Sequence, residues 1–395
     1  MSAVPASAIE ARPNRIVLAL YVVTAGLVTI QQAVYGHSNN LSIFRTATYN
    51  LLAGRDLYIA HPEQHFDFYK YSPTFALLFA PLAYLPFALS FLCWTLLNAL
   101  LLWYAINRLI PGRPATIALA LLYLEVLLTL QYGQSNALVA ALMILAFVAL
   151  EQGRSAGAAA SITLGAAVKL FPLAGASLGA LYPRWARFAG IFIVTLAVAV
   201  ALPLLVTTPE TLLAQYHSWR AIEAQDAVRR GYSMMHYLHA WLGVDWPNWP
   251  VQIAGTMLLV LPLAIRWDRR NSEDFRRLFL CSLLVYAVLF NHASEPPTFI
   301  VAYAGIVIWY VSSPPSRVRT AVMALTLLVM LMADVDVFPR AFKQEFLVPY
   351  RIRGIPVLIA WIVMQWELLN REGGRGRSTQ PPTSRSFPAP DPPFP

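Results

Sequence analysis

Apolar runs broken by short polar stretches dominate the chain, at residues 16–35, 72–107, 115–130, 135–150, 157–182, 188–206, 251–266, 278–291, 297–312, 319–333 and 354–369. Among all 395 residues, 58% are hydrophobic and only 12% charged. Soluble domains carry roughly 45–50% apolar and about 25% charged residues. A soluble domain of this length cannot bury so much apolar surface, so the pattern predicts a polytopic membrane protein. Spans within lipid must satisfy their own backbone hydrogen bonds, which predicts an all-α bundle.

Several runs are shorter than the roughly 20 residues a perpendicular span needs. Short runs interrupted by Gly or Pro predict broken or re-entrant helices, tolerated where protein or a water-filled cavity covers the freed backbone. Run 157–182 holds Lys169 and Pro172 at its middle, and reads as a hairpin turning there. About twelve membrane segments are expected.

The net charge of +9 raises nucleic-acid binding as an option. The basic residues, however, sit in short clusters between apolar runs: Arg12 with Arg15, Arg184 with Arg187, Arg266 to Arg277, and Arg317 with Arg319. That is the distribution of the positive-inside rule. It places those turns and both termini in the cytoplasm, and puts 36–71, 131–136, 207–250, 291–297 and 334–353 outside. The expected organisation is a cytoplasmic arm over 1–15, a membrane domain over 16–370, and a disordered Pro-, Ser- and Arg-rich tail over 371–395. Run 16–35 is too long for a signal-peptide core and reads as a retained first helix. Cys93 and Cys281 lie in apolar runs and read as small core residues. The chain has no P-loop, HExxH, CxxC or GxGxxG, which disfavours a nucleotide-driven motor.

The outer loops hold most of the polarity. The first contains Arg45, Asp56, Glu63, Asp67 and Lys70 among Tyr49, Tyr58, Tyr69 and Tyr71. Leu41 to Ala53 has helical apolar spacing and reads as an interfacial helix ending at Gly54. The bland alternative is a solvated loop with an aromatic belt. The segment 216–241 adds Arg220, Glu223, Asp226, Arg229 and Arg230; NHASEPP (291–297) adds His292 and Glu295; and 334–353 adds Asp334, Asp336, Arg340, Lys343, Arg351 and Arg353. Basic residues on the outer face run against the topology rule, and a lipid phosphate is a natural reason for them. Lys169 either snorkels or lines a cavity. Glu125, mid-span, is either a structural ion-pair member or functional. Asp334 and Asp336 are a lone D-x-D, weak as a metal motif.

The order LLAGRDLY (51–58), YKYSPTFALLFAPLAYLP (69–86), QYGQSNALVAALMILAFVAL (131–150) and AGAAASITLGAAVKLFPL (156–173) resembles glycosyltransferase family 87, integral membrane enzymes of the GT-C type. The resemblance covers roughly residues 15–370. It implies transfer of a sugar from a polyprenyl phosphate to a lipid or glycan on the outer face of a bacterial cytoplasmic membrane, as in the family's mannosyltransferases. The family's presumed base, an aspartate early in the first outer loop, falls here on Asn40, whose amide cannot accept a proton. The chain is similar to a branch with Asn at this position and with EQxxDxYKYSPTF- and NHxxExPT-like segments.

Such a transfer needs a base, cations for the leaving phosphate, and a groove for the prenyl chain. Asp67, Glu63 and Glu295 are the candidate bases, with Asp56 behind them. Lys169, Arg351 and Arg353, then Arg45 and Lys70, are candidates for the phosphate. Asn40, Gln134, Asn136, Tyr69, Tyr71, His292 and Trp219 are candidates for sugar or acceptor. No cofactor or metal is demanded, because Arg and Lys can neutralise a monophosphate. Two competing readings stand: a lipid transporter or flippase, expected to show inverted repeats, and a non-catalytic member of the fold, expected to have a closed outer cavity.

Overall fold

The computed structural model describes residues 6–36, 38–334 and 339–370, and every regular element among them is helical. Five helices are long and apolar enough to cross a membrane: Pro13–Tyr35, Phe87–Leu109, Trp185–Leu205, Asn248–Ile265 and Ile352–Asn370. A sixth span arises if Arg113–Leu121 and Tyr123–Gln131, bent by 49°, are taken together. Full-length spans among the described residues thus number five or six, against about twelve membrane segments expected, some of them short or re-entrant. The shorter apolar helices Asn136–Glu151 and Ser155–Val168, at 1.5 Å per residue, and the 3-10 helix Phe171–Leu181, at about 2 Å per residue, fall short of a bilayer. Run 72–107 likewise divides, at Pro81 and Pro86, into Pro73–Leu78, Ala80–Ala83 and Phe87–Leu109. The first helix, Ala6–Tyr35, starts inside the stretch expected to be a separate arm. The tail from 371 and Asp336 lie outside the described residues, as does the side chain of Asp334.

Burial explains the short helices. Asn136–Glu151 is buried on nearly every side, packed between Phe87–Leu109 and Ser155–Val168. The last of these reads SAGAAASITLGAAV, and small side chains allow that close approach. Phe299–Ser312 packs just as tightly on Glu273–Leu289, where a Cβ on Gly305 would lie 2.6 Å from the Cys281 carbonyl. Trp185–Leu205, by contrast, is apolar all round and only 11% buried, as a lipid-facing helix should be.

The first-loop helix forms over Asn39–Leu52, and Gly54 follows it at φ 68°. Gly54 N–H donates to Leu51 O (3.1 Å) and Arg55 N–H to Asn50 O (2.9 Å), closing the helix end in a Schellman motif. Its apolar face does not lie free at an interface, as its spacing alone predicted. Phe44 plugs into a box of Tyr71, Phe75, Phe79 and Trp94, with ring centroids 5.0–5.6 Å away. Protein, rather than lipid, supplies the apolar partner.

Ion pairs tie down one end of the bundle. Arg276 grips Glu151 with both oxygens engaged (2.7 and 2.8 Å), and Arg319 grips Glu367 the same way (2.9 Å twice). The predicted basic turns lie here. A cavity occupies the other end.

Candidate active site

A cavity of about 810 Å³ opens among six chain segments that are far apart in sequence, Gln252 of Asn248–Ile265 being one of them. Lys70 and Tyr71 come from the extended stretch after the first-loop helix. Lys169 comes from the break between Ser155–Val168 and Phe171–Leu181. Glu223 and Asp226 end the helix Pro209–Asp226, followed by Arg229 and Arg230. His292 and Glu295 sit in the turn after Glu273–Leu289, and Arg351 precedes the last helix. Leu170, Phe171, Ala174, Tyr286 and Phe290 form an apolar wall.

Two backbone features shape this site. Lys169 closes its helix in extended geometry (φ −143°, ψ 143°), and Pro172 prevents the helix from continuing. Gly231 has φ +41°, and a Cβ there would lie 2.4 Å from Ser294 O and 2.7 Å from His292 O. Only glycine lets the 230–232 turn approach the 292–295 turn so closely, and Tyr232 N–H donates to Ser294 O at 2.9 Å.

The cavity holds five cations, Lys70, Lys169, Arg229, Arg230 and Arg351, against three carboxylates, Glu223, Asp226 and Glu295. Those carboxylates differ in their commitments. Asp226 is committed to ion pairs with Lys70 (3.0 Å) and Arg229 (3.0 Å). Glu223 is raised above the usual carboxylate pKa, first by burial and then by the Asp226 charge. Glu295 is exposed to the cavity, and its backbone is fixed: its N–H donates to Thr298 Oγ1 (3.2 Å) and its carbonyl accepts from Thr298 N–H (2.8 Å). Lys169 lies in the turn, outside the helices. Enclosure lowers its pKa to about 8, while Glu295 pulls it up and Lys70 pushes it down. Burial also lowers His292, favouring the neutral ring, against the opposing pull of Asp226.

Of the residues singled out from sequence, Lys70, Tyr71, Lys169, His292, Glu295 and Arg351 line this cavity. Asp67, 46% exposed, stands beside it through a 3.4 Å pair with Lys70. The remaining candidates lie elsewhere in the structure. Arg353 is drawn into the bundle, where it pairs with Glu125; the two are 4% and 0% exposed. Asp56 accepts from Tyr58 N–H (2.9 Å) and Ser218 Oγ (2.7 Å), holding the loop. Glu63 is 61% exposed beside His61. The Arg45 guanidinium donates to Tyr49 Oη at 3.3 Å. Asn40 donates its amide to the Tyr132 carbonyl at 2.7 Å. Tyr69 is buried and donates to Ser72 O (2.7 Å), and Trp219 donates its indole N–H to Lys70 O (3.3 Å). Gln134 and Asn136 belong to a tight turn at Gly133, whose carbonyl accepts from the Trp94 indole (2.9 Å), and neither lines the cavity.

Glu223, Asp226, Arg229 and Arg230 also line the cavity, though the sequence did not single them out. Their signal was present: four charges within eight residues at and after the end of a polar helix, just before a glycine. Gln252, Tyr286 and Asn291 carried none, since each lies in or beside an apolar run.

Convergence of cations and carboxylates in an open cavity is what an enzyme of this architecture requires, and a closed non-catalytic bundle lacks it. No curated protein matches the chain. The family model of glycosyltransferase family 87 matches residues 68–291, more than half of the chain and most of the cavity wall. The chain therefore belongs to glycosyltransferase family 87.

Proposed function

We propose that this family 87 glycosyltransferase takes a sugar from a polyprenyl phosphate and passes it to a lipid or glycan acceptor. The observation that carries this reading is a single cavity in which five cations and three carboxylates face an apolar wall. Lys70, Arg229 and Arg230 each pair with a carboxylate, whereas Lys169 and Arg351 have no ion pair among the described residues, and two such cations suit one phosphate group. Phe171, Ala174, Tyr286 and Phe290 offer the wall along which a prenyl chain would lie.

Glu295 is the base in this mechanism. It is open to the cavity, whereas Asp226 is held by two cations and Asp67 by Lys70 at the rim. Its carboxylate takes the acceptor hydroxyl proton as the oxygen attacks the anomeric carbon. The bond from that carbon to the phosphate oxygen breaks, and the phosphate leaves with the electron pair. Lys169 and Arg351 are placed to stabilise that growing charge, with Arg230, itself paired with Asp245, beside them. Tyr71 and His292 are placed to touch sugar or acceptor, with His292 favoured as the neutral ring by its burial.

Sidedness follows from charge. The end opposite the cavity carries the basic turns, which the positive-inside rule assigns to the cytoplasm. The cavity then faces outward, on a bacterial cytoplasmic membrane, supplied with donor from within the bilayer.

The test is transfer by the purified protein in lipid nanodiscs, offered undecaprenyl-phosphate-linked mannose and other hexoses or pentoses with membrane extracts as acceptor. Labelled glycolipid or glycan is the expected product. Absence of transfer from every lipid-phosphate donor would sink the proposal.

A further inference from the structure

Arg351 has φ 51° and ψ 39°, and is the one non-glycine residue with positive φ among the described residues. Elsewhere the chain uses glycine for this conformation: Gly54, Gly112, Gly133, Gly153, Gly231 and Gly243. A residue with a Cβ is strained there, and such strain persists where the surroundings enforce it. At position 351 the side chain must therefore matter.

The surroundings that enforce it are visible. Tyr237, 2% exposed on the helix Met234–Leu242, donates its hydroxyl to the Arg351 carbonyl at 2.7 Å. Gly354 makes room for that hydroxyl, since a Cβ there would lie 2.0 Å from it. On the other side, the Arg351 guanidinium lies over the Tyr232 ring, 4.5 Å from its centroid. Tyr232 is itself bonded to Ser294, in the turn that carries Glu295. The guanidinium lines the cavity, and its buried Nε has no hydrogen-bond partner.

We propose that Tyr237, seated by Gly354, is a positioning residue that holds Arg351 in the left-handed conformation and aims its guanidinium at an anion in the cavity. This rests on the proposed function only in taking that anion to be a lipid phosphate. The strained backbone is the means of aiming: a relaxed φ would turn the side chain away from the cavity.

The experiment uses the full chain in nanodiscs and measures binding of undecaprenyl phosphate and, in parallel, of inorganic phosphate. The variants are Tyr237→Phe, Arg351→Ala, Arg351→Gly and the double variant Tyr237→Phe/Arg351→Ala. Arg351→Gly should have a higher thermal midpoint than Arg351→Ala, because glycine relieves the strain, and both should bind at least tenfold more weakly than the parent. Tyr237→Phe should weaken binding severalfold in the parent and not at all in the Arg351→Ala background, which a merely structural tyrosine would not do. Parent-like binding by Tyr237→Phe, an equal loss in both backgrounds, or a midpoint for Arg351→Gly no higher than for Arg351→Ala overturns the inference. Binding of inorganic phosphate without lipid phosphate overturns the donor class alone, leaving the double-variant cycle to judge Tyr237. Binding of neither overturns both.

Discussion

Glu125 and Arg353, 228 residues apart in the chain, form an ion pair sealed inside the bundle. The Arg353 guanidinium also lies over the rings of Phe299 (5.2 Å) and Tyr303 (5.7 Å). This joins the bent Tyr123–Gln131 helix to the segment leading into the last span. Of the two residues that the sequence left with alternative roles, Glu125 is thus ion-paired, and Arg353, its partner, does not line the cavity. A buried charge left alone costs far more than a missing pair. Arg353→Met or Glu125→Gln should therefore cost ~3–5 kcal/mol, while Glu125→Leu with Arg353→Met together should recover much of it. Thermal unfolding of the three variants in the same detergent checks this, and equal loss in the double variant would show that the pair contributes more than its mutual neutralisation.

Glu295→Gln should retain fold and donor binding but lose ~10²–10⁴-fold in kcat, the usual contribution of a general base. Asp67→Asn disrupts only a 3.4 Å pair on a 46% exposed side chain. Exposed pairs contribute ~0–1 kcal/mol, so kcat should stay within severalfold of the parent. Steady-state transfer at saturating donor compares the two. A larger loss in Asp67→Asn would move the base to the rim.

Lys169 gives the site a pH dependence. Enclosure lowers its pKa to about 8. Its positive charge is present below that value and is lost as pH rises through it. Affinity for an anionic donor should fall above about pH 8. Lys169→Arg keeps its charge throughout this range and should flatten the profile. Titrating undecaprenyl phosphate binding from neutral to alkaline pH distinguishes the two proteins, and identical profiles would exclude Lys169 from the anion site.

Asn40→Asp would restore the carboxylate that the family resemblance leads one to expect, but it should not restore a base. The Asn40 amide donates to the Tyr132 carbonyl at 2.7 Å. A carboxylate there cannot donate and would face the carbonyl oxygen, at a cost of ~1–3 kcal/mol. The expected outcome is a lower thermal midpoint with no gain in transfer. A rise in kcat would place Asn40 in the reaction.

Local signals were legible in the sequence because they act locally. Apolar length and low charge established a helical membrane protein, and Pro172 after Lys169 marked a broken helix. Gly54 marked a helix end, and the order of short motifs marked the family. Lys169, Lys70, His292, Glu295 and Arg351 were recognisable as charges placed at membrane boundaries, where burial demands a reason. Tertiary structure alone decided which charges meet. It drew Arg353 to Glu125 inside the bundle and left Arg351, two residues earlier, facing the cavity. It buried the apolar face of Asn39–Leu52 in an aromatic box. It also brought the 230–232 and 292–295 turns together through a glycine, so that Glu223, Asp226 and Glu295 share one cavity. Periodicity specifies what each segment can bury. Which partner it buries against depends on packing between segments hundreds of residues apart, where desolvation compels each charge to find its opposite.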